Sequence, residues 1–264
     1  MFKLALSAGH WAGTYKGCPK SLDPKCTDEW TLNSRICNKM QNILSEYDGI
    51  EVLRTDDTTG KTNILLADRC KAANKWKANF YLSVHHNGGI NGGKGGGIVA
   101  FIHPQASKAS KEWQTALYDA AIAATGLKGN RANPKPTKNL QEMREANMPS
   151  VLMECGFMDS ATDCPIILTD EYADKIAQAF CDVIIKRSGA VKKEEPVKTE
   201  PVDQLEHDEL TPIYTEPSKP LKEGEETTAS DTSPDYIKDP EEAQNFLVKL
   251  LNHVIDFIIR LFKK

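Results

Sequence analysis

Residues 81–89 read YLSVHHNGG: an apolar, alternating run closes in two adjacent histidines and then in glycines. The alternation predicts a β-strand, and the glycines predict that the strand ends in a turn. Successive side chains of a strand point to opposite faces, so at most one of the two histidines is expected to reach a given site. We expect His85 to reach the functional site and His86 to pack or to orient a neighbour.

Around this strand, strand-like and helical segments alternate along the first 190 residues. The strand segments are 2–8, 50–55, 79–85, 97–103 and 150–157, and the helical segments are about 28–47, 63–77, 106–125 and 170–187. This alternation predicts an α/β fold, a mostly parallel twisted sheet with helices on both faces. The first and last of these strands are apolar on both faces, as a covered sheet requires.

Three groups able to bind a metal or a proton lie at the carboxyl ends of these strands. His10 follows the first strand, His85 closes the third, and Glu154 lies late in the fifth. Because ligands of such sheets bind at the carboxyl ends of the strands, we expect the three side chains to converge.

Glu29, near the start of the first helix, is a fourth candidate. It precedes Leu32 by three residues and Ile36 by seven, which places it on the inward, apolar stripe of that helix. A carboxylate that faces a core is costly to desolvate unless it is paired or bound to a cation. A metal ion is therefore a suitable partner for Glu29.

Other histidines and a glycine run offer weaker candidates. His103 closes the fourth strand and is a spare candidate, whereas His207 and His253 lie in the linker and tail and are interpreted as non-catalytic. The run GGINGGKGGG, residues 88–97, is followed by a strand rather than by a helix, so a phosphate-binding loop is not indicated. We interpret it as a flexible loop that either connects two strands or faces substrate.

The seven cysteines are odd in number and lack CxxC spacing, which is typical of free thiols made in a reducing compartment. Cys18 and Cys26 share a loop, and the sequence leaves open whether they pair. Cys155 directly follows Glu154 and should point away from it, which disfavours Cys155 as a nucleophile.

Five motifs occur in a recognisable order. They are LSAGH, the pair Glu29 and Asn33, LRTDDTTGKTNILLADRCKAAN with Leu53-Arg54 where Thr-Arg is usual, SVHHN where SIHAN is usual, and MREANMPSVLMECGFMDS. In this order they closely resemble the family 3 N-acetylmuramoyl-L-alanine amidases, zinc enzymes that cut bacterial peptidoglycan. The resemblance covers residues 1 to about 187.

The resemblance implies a role for each candidate residue. His10, Glu29 and His85 would bind zinc and leave a fourth position for water, and Glu154 would be the general base. The scissile bond would join the lactyl group of N-acetylmuramic acid to L-alanine of the stem peptide. A zinc peptidase acting on the stem peptide and a non-catalytic wall-binding module are the alternatives.

The last 74 residues have a different composition. Residues 191–238 are acidic and poor in large apolar side chains, which predicts a disordered linker. Residues 239–264 predict an amphipathic helix, suited to self-association or docking on a protein partner, to a membrane surface, or to folding back onto the catalytic body.

The sequence shows no signal peptide and no apolar stretch of about 20 residues that would span a membrane. We therefore expect synthesis in the bacterial cytoplasm and action on the cell wall after release, as in a phage or prophage endolysin, or less favourably in a bacterial autolysin. Peptidoglycan is the expected partner, and no nucleic-acid partner is expected.

Overall fold

A computed structural model of the chain describes residues 1–14 and 16–194. In chain order the elements are β1 (Phe2–Ala8), α1 (Glu29–Ser45), β2 (Tyr47–Asp48), β3 (Ile50–Arg54), α2 (Leu66–Trp76), β4 (Phe80–Asn87), β5 (Ile98–Phe101), α3 (Lys108–Thr125), α4 (Gln141–Glu145), β6 (Ser150–Phe157), α5 (Cys164–Ile167), α6 (Asp170–Ser188) and β7 (Val191–Lys192). The predicted α/β class is confirmed.

The central sheet has five strands in the order β3-β1-β4-β6-β5. The neighbours among β3, β1, β4 and β6 run parallel, and only β5 runs antiparallel, against β6. The expectation of a mostly parallel sheet is therefore confirmed. The four parallel strands bring their carboxyl ends to one edge, which is where His10, His85 and Glu154 are placed.

Helices cover both faces of this sheet, as expected. On one face, β1, β4 and β6 pack against α1, α3 and α6 in the main apolar core, which includes Leu6, Phe80, Leu82, Met40 and Phe180. On the other face a smaller core lies beneath α2 and α4. It consists of Ala5, Ala73, Ala78, Tyr81, Met143 and Leu152.

The ordered body extends slightly past residue 190. The short strand β7 pairs antiparallel with β2, and the backbone N–H of Lys193 donates to the carbonyl of Glu46 at 2.8 Å. The rest of the predicted linker, residues 195–238, and the predicted helix at 239–264 lie outside the described residues. Within residues 1–14 and 16–194, no helix combines the length and apolar character needed to cross a bilayer.

Candidate metal centre

His10 follows the end of β1, and a hydrogen bond to its backbone carbonyl fixes its position there. Its φ angle is +66°, in the left-handed region, and its carbonyl accepts a 2.7 Å hydrogen bond from Nη2 of Arg69. Arg69 is fully buried, and its Nη1 also donates to the carbonyl of Ala8 at 2.6 Å. The buried guanidinium of Arg69 thus stabilises a backbone conformation at His10 that few non-glycine residues adopt.

Glu29 enters the same space from the first turn of α1. Asp28 caps the helix by accepting a 2.8 Å hydrogen bond from the backbone of Thr31, which fixes where the helix begins. The Oε2 atom of Glu29 lies 3.0 Å from Nε2 of His10, and its Oε1 atom lies 3.0 Å from Nδ1 of His85.

The environment of Glu29 keeps its carboxylate ionised. Burial alone would raise the pKa of Glu29, but hydrogen bonds from His10 and His85 outweigh it and hold the pKa well below its usual range. Glu29 is only 3 % exposed, so its charge requires the two imidazoles or a cation as a partner.

Together, His10, Glu29 and His85 form a cluster suited to a metal ion. Each offers one ligand atom, and these atoms lie within 4.8 Å of one another. A tetrahedral zinc site with bonds of about 2.0–2.1 Å places its ligand atoms roughly 3.3 Å apart, and the 3.0 Å contacts of the Glu29 carboxylate with His10 and with His85 are close to this value. Two imidazole nitrogens and one carboxylate oxygen form a set of ligand atoms that zinc accepts, so these three residues fit a zinc ion.

His86 lies on the opposite face of β4, as its position in the strand predicts. Its Nδ1 is 2.8 Å from Oδ1 of Asn33, and Asn33 Nδ2 donates to the carbonyl of Gly9 at 3.0 Å. Burial lowers the pKa of His86 to about 3, so this imidazole is neutral at pH 7. The backbone N–H of His86 donates to Glu29 at 3.2 Å, which helps to position that carboxylate.

Glu154 lies beside the cluster on β6, in register with His85 of β4. Its Oε2 atom is buried and has no hydrogen-bond partner in the described structure. Burial, assisted by the nearby negative charge of Glu29, raises the pKa of Glu154 to about 7 against the opposing charge of His85. A carboxylate with a free oxygen at this place can exchange protons near neutral pH.

Two cavities meet at this cluster, and His10, His85, Lys138 and Glu154 line both. The first, of about 390 Å³, is bordered mainly by apolar side chains, among them Trp11, Ile64, Leu65, Leu66, Phe101, Leu140 and Leu152. The second, of about 510 Å³, is bordered mainly by polar groups, among them Lys16, Glu29, His86, Asn87 and Asp159. The cluster therefore lies in a cleft with two chemically different sides.

The sequence did not single out Glu142, which the structure places against His85. Glu142 comes from the short helix α4, is 3 % exposed, and has its Oε2 atom 3.6 Å from Nε2 of His85. The sequence did contain a signal for such a residue. Tyr81, Ser83 and His85 place a polar side chain at every second position of a strand that should be buried on both faces. Such a row needs a polar partner.

The weaker candidates lie elsewhere. His103 lines a separate cavity, where its Nδ1 accepts a hydrogen bond from the backbone of Gln105 at 3.2 Å. Cys155 is fully buried in the main core, and burial raises its thiol pKa well above the ordinary value, which supports the interpretation that it is not a nucleophile. His207 and His253 lie outside the described residues.

The loop and cysteine expectations are refined by the structure. The glycine run is anchored by hydrogen bonds, because Asp159 accepts from Gly89 and Asn91 at 2.8 and 2.7 Å, and Asp163 accepts from Gly97 at 2.7 Å. All seven cysteines are free thiols, including Cys18 and Cys26.

Comparison with known proteins places this chain in a family. A profile described as N-acetylmuramoyl-L-alanine amidase matches residues 4–186. The chain belongs to this amidase family, which is a family of hydrolases. The expectation from the sequence motifs is confirmed.

Individual relatives of the amidase family agree with this assignment. The sporulation-specific N-acetylmuramoyl-L-alanine amidase of Bacillus subtilis (strain 168) is 29% identical over 183 residues, covering 69% of this chain and 66% of that protein. The endolysin of Bacillus phage SPP1 is 28% identical over 169 residues, covering 61% of each chain. The chain thus spans just under two thirds of the length of these relatives.

A solved structure also aligns with the body of the chain. The catalytic domain of CwlV, an N-acetylmuramoyl-L-alanine amidase from Bacillus (Paenibacillus) polymyxa var. colistinus, superposes with a TM-score of 0.62 at 26% identity. The superposition covers 71% of this chain and 98% of that domain. The described α/β body therefore corresponds to a whole amidase catalytic domain.

Proposed function

We propose that this chain is a zinc-dependent amidase of bacterial peptidoglycan that hydrolyses the bond between N-acetylmuramic acid and L-alanine. The observation that carries the proposal is the His10, Glu29 and His85 cluster, with ligand atoms within 4.8 Å of one another, beside the unpaired carboxylate oxygen of Glu154. Membership in the amidase family supports the choice of bond.

Each residue of the centre has a distinct task in this reaction. His10, Glu29 and His85 would hold the zinc, which supplies Lewis acidity that activates water at neutral pH and polarises the amide carbonyl. Glu154 accepts the proton of the attacking water on its free oxygen and delivers it to the leaving amine of L-alanine.

The two-sided cleft suits a substrate that is part sugar and part peptide. Such a substrate passes the centre with the amide bond at Glu154 and its two halves in the two cavities. Trp11 and the exposed Leu65 and Leu66 offer apolar contact on one side, Lys16 offers positive charge on the other, and Lys138 borders both cavities. Carboxylates of a stem peptide are suitable partners for these lysines.

For the biological role, we propose lysis of a bacterial cell wall, with synthesis in the cytoplasm and release to the wall. Similarity to the endolysin of a Bacillus phage supports this role. Self-association or membrane contact through residues 239–264 stays a prediction from the sequence, because those residues lie outside the described part.

The deciding experiment is mass spectrometry of muropeptides after digestion of purified peptidoglycan by the full chain, with and without a chelator. We expect stem peptides with a new N-terminal alanine, loss of this product with chelator, and recovery when zinc is added back. Cleavage inside the stem peptide would identify a zinc peptidase instead. Binding to the wall with no product from the zinc-loaded chain would identify a wall-binding module.

A further inference from the structure

A row of polar side chains lies on one face of the central strand β4. Tyr81, Ser83 and His85 alternate with Phe80, Leu82 and Val84, and all six are buried. β4 is hydrogen-bonded to β1 on one side and to β6 on the other, so the row lies in the middle of the sheet, with Tyr81 and Ser83 fully buried and His85 bordering both cavities. Buried hydroxyl and imidazole groups require partners from the covering layer.

Glu142 of α4 is that partner. Its Oε1 atom accepts hydrogen bonds from the hydroxyl of Tyr81 at 2.6 Å and from those of Ser7 and Ser83 at 3.3 Å each. Its Oε2 atom accepts from Ser83 at 3.2 Å. Arg69 contributes positive charge nearby, since its Nη1 donates to the hydroxyl of Ser7 at 2.9 Å. A buried carboxylate with this many donors stays ionised.

The imidazole of His85 lies between two carboxylates. Its Nδ1 is 3.0 Å from Glu29, on the side of the metal cluster, and its Nε2 is 3.6 Å from Oε2 of Glu142. The second distance is longer than a hydrogen bond, and Nε2 is a buried ring nitrogen without a hydrogen-bond partner. An approach of Glu142 by about half an ångström would give that nitrogen a hydrogen-bond acceptor.

The face of the same ring is pressed against Gly9. A Cβ atom built on Gly9 would lie 2.2 Å from Cε1 of His85, so only glycine leaves room for the ring in this position. Packing therefore restricts the ring plane, but packing does not decide which ring nitrogen carries the proton. That choice is electrostatic, and Glu142 is the carboxylate that lies within ion-pair distance of Nε2.

We propose that Glu142 is a positioning residue that accepts the Nε2–H of His85 and thereby favours Nδ1, the nitrogen that faces Glu29, as the ligand atom offered to the metal. The inference rests on the proposed zinc site and names a residue that acts through His85 rather than on the substrate. An imidazole that carries its proton on Nε2 presents a lone pair on Nδ1. Carboxylate–histidine–metal arrangements of this kind raise the basicity of the ligand and fix its orientation.

The test compares zinc affinity of the full chain and its Glu142→Gln variant by competition with a chelator. Glutamine keeps the size of the side chain but removes the charge. We expect zinc to bind about 10–100-fold more weakly to the variant. The matched control is Glu145→Gln on the same helix, where the carboxylate pairs with Arg144 at 3.3 Å, and zinc affinity should stay within about twofold of the unmodified chain.

A spectroscopic readout tests which ring nitrogen of His85 carries the proton, and it does not depend on the folding of the variant. In the zinc-loaded unmodified chain, nitrogen-15 NMR should show His85 with a slowly exchanging proton on Nε2 and none on Nδ1. A proton on Nδ1, or zinc affinity of a folded Glu142→Gln variant within twofold of the unmodified chain, would overturn the inference. An unmodified chain that binds no zinc would instead overturn the proposed function.

Discussion

The two faces of β4 differ in what they contact. Phe80, Leu82 and Val84 face the main apolar core, whereas Tyr81, Ser83 and His85 face a smaller core and the carboxylate of Glu142. Burial of the apolar face drives folding, while the polar face buries groups that are costly unless each finds a partner. Side chains on one face of β4 therefore contribute to stability, whereas the other face carries His85, the proposed metal ligand.

This division predicts that mutations on the two faces separate into different phenotypes. Changes on the apolar face should alter the free energy of unfolding and leave zinc affinity intact. Changes around the metal centre should alter zinc affinity or turnover with a smaller effect on unfolding.

The largest expected effect is on turnover. Glu154→Gln removes the proposed proton acceptor beside the cluster without removing a proposed metal ligand. We expect product release from peptidoglycan to fall by about 10²–10⁴-fold, while zinc content and thermal unfolding stay close to those of the unmodified chain. Turnover within about tenfold of the unmodified chain would show that Glu154 is not the general base.

On the apolar face, Leu82→Ala should reduce stability. Leu82 is fully buried in the main core, so the substitution removes apolar contacts and leaves a cavity. We expect the free energy of unfolding in urea to fall by about 2–5 kcal/mol. Zinc affinity measured where the variant is still folded should be unchanged, and a tenfold loss of affinity would contradict the division between the faces.

Gly9→Ala should affect the candidate metal centre more than the main apolar core. The new methyl group would lie 2.2 Å from the ring of His85, and the ring would have to move. We expect a cost of about 1–3 kcal/mol in unfolding and a clear loss of zinc affinity. Gly88→Ala is the control, because its methyl group would meet no atom closer than 3.9 Å. Equal zinc affinities for the two variants would contradict the role of Gly9.

The smallest expected effect concerns the loop beside the cleft. Burial alone would raise the pKa of Asp159, but hydrogen bonds from the backbone of Asn91, Ile90 and Gly89 outweigh it and lower the pKa. At pH 7 Asp159→Asn should lower the free energy of unfolding by about 0.5–1 kcal/mol. The effect is small because the carboxylate is partly exposed to water, which weakens its interactions.

The sign of the pH dependence follows from that lowered pKa. The contribution of Asp159 is fully present above the unfolded-state pKa, near 4, and is lost as the pH falls through the folded-state pKa. Urea unfolding from pH 6 downward should therefore show the difference between the two proteins shrinking in acid. A difference that is constant or grows with falling pH would contradict this account.

Much of the fold could be predicted because its signals are local. Alternation of apolar residues marks β4, and helical spacing marks the inward stripe of α1, which identified Glu29. Parallel strands end at a common edge, so the convergence of His10 and His85 followed from their places at the carboxyl ends of β1 and β4.

Glu142 and Arg69 could not be assigned in this way because their partners are distant in sequence. Glu142 lies in a helix of five residues, too short for a periodic signal, and its donors come from β1 and β4. Arg69 reads as a residue of α2, yet it donates to carbonyls 59 and 61 residues earlier. Only the assembled sheet shows these contacts.

The central claim is that His85, and not its neighbour His86, is a ligand of a single zinc ion. The most direct measurement is the zinc content of the purified full chain beside its His85→Ala and His86→Ala variants. We predict one zinc per chain for the unmodified protein and for His86→Ala, and almost none for His85→Ala. Zinc retained by His85→Ala and lost from His86→Ala would contradict the account.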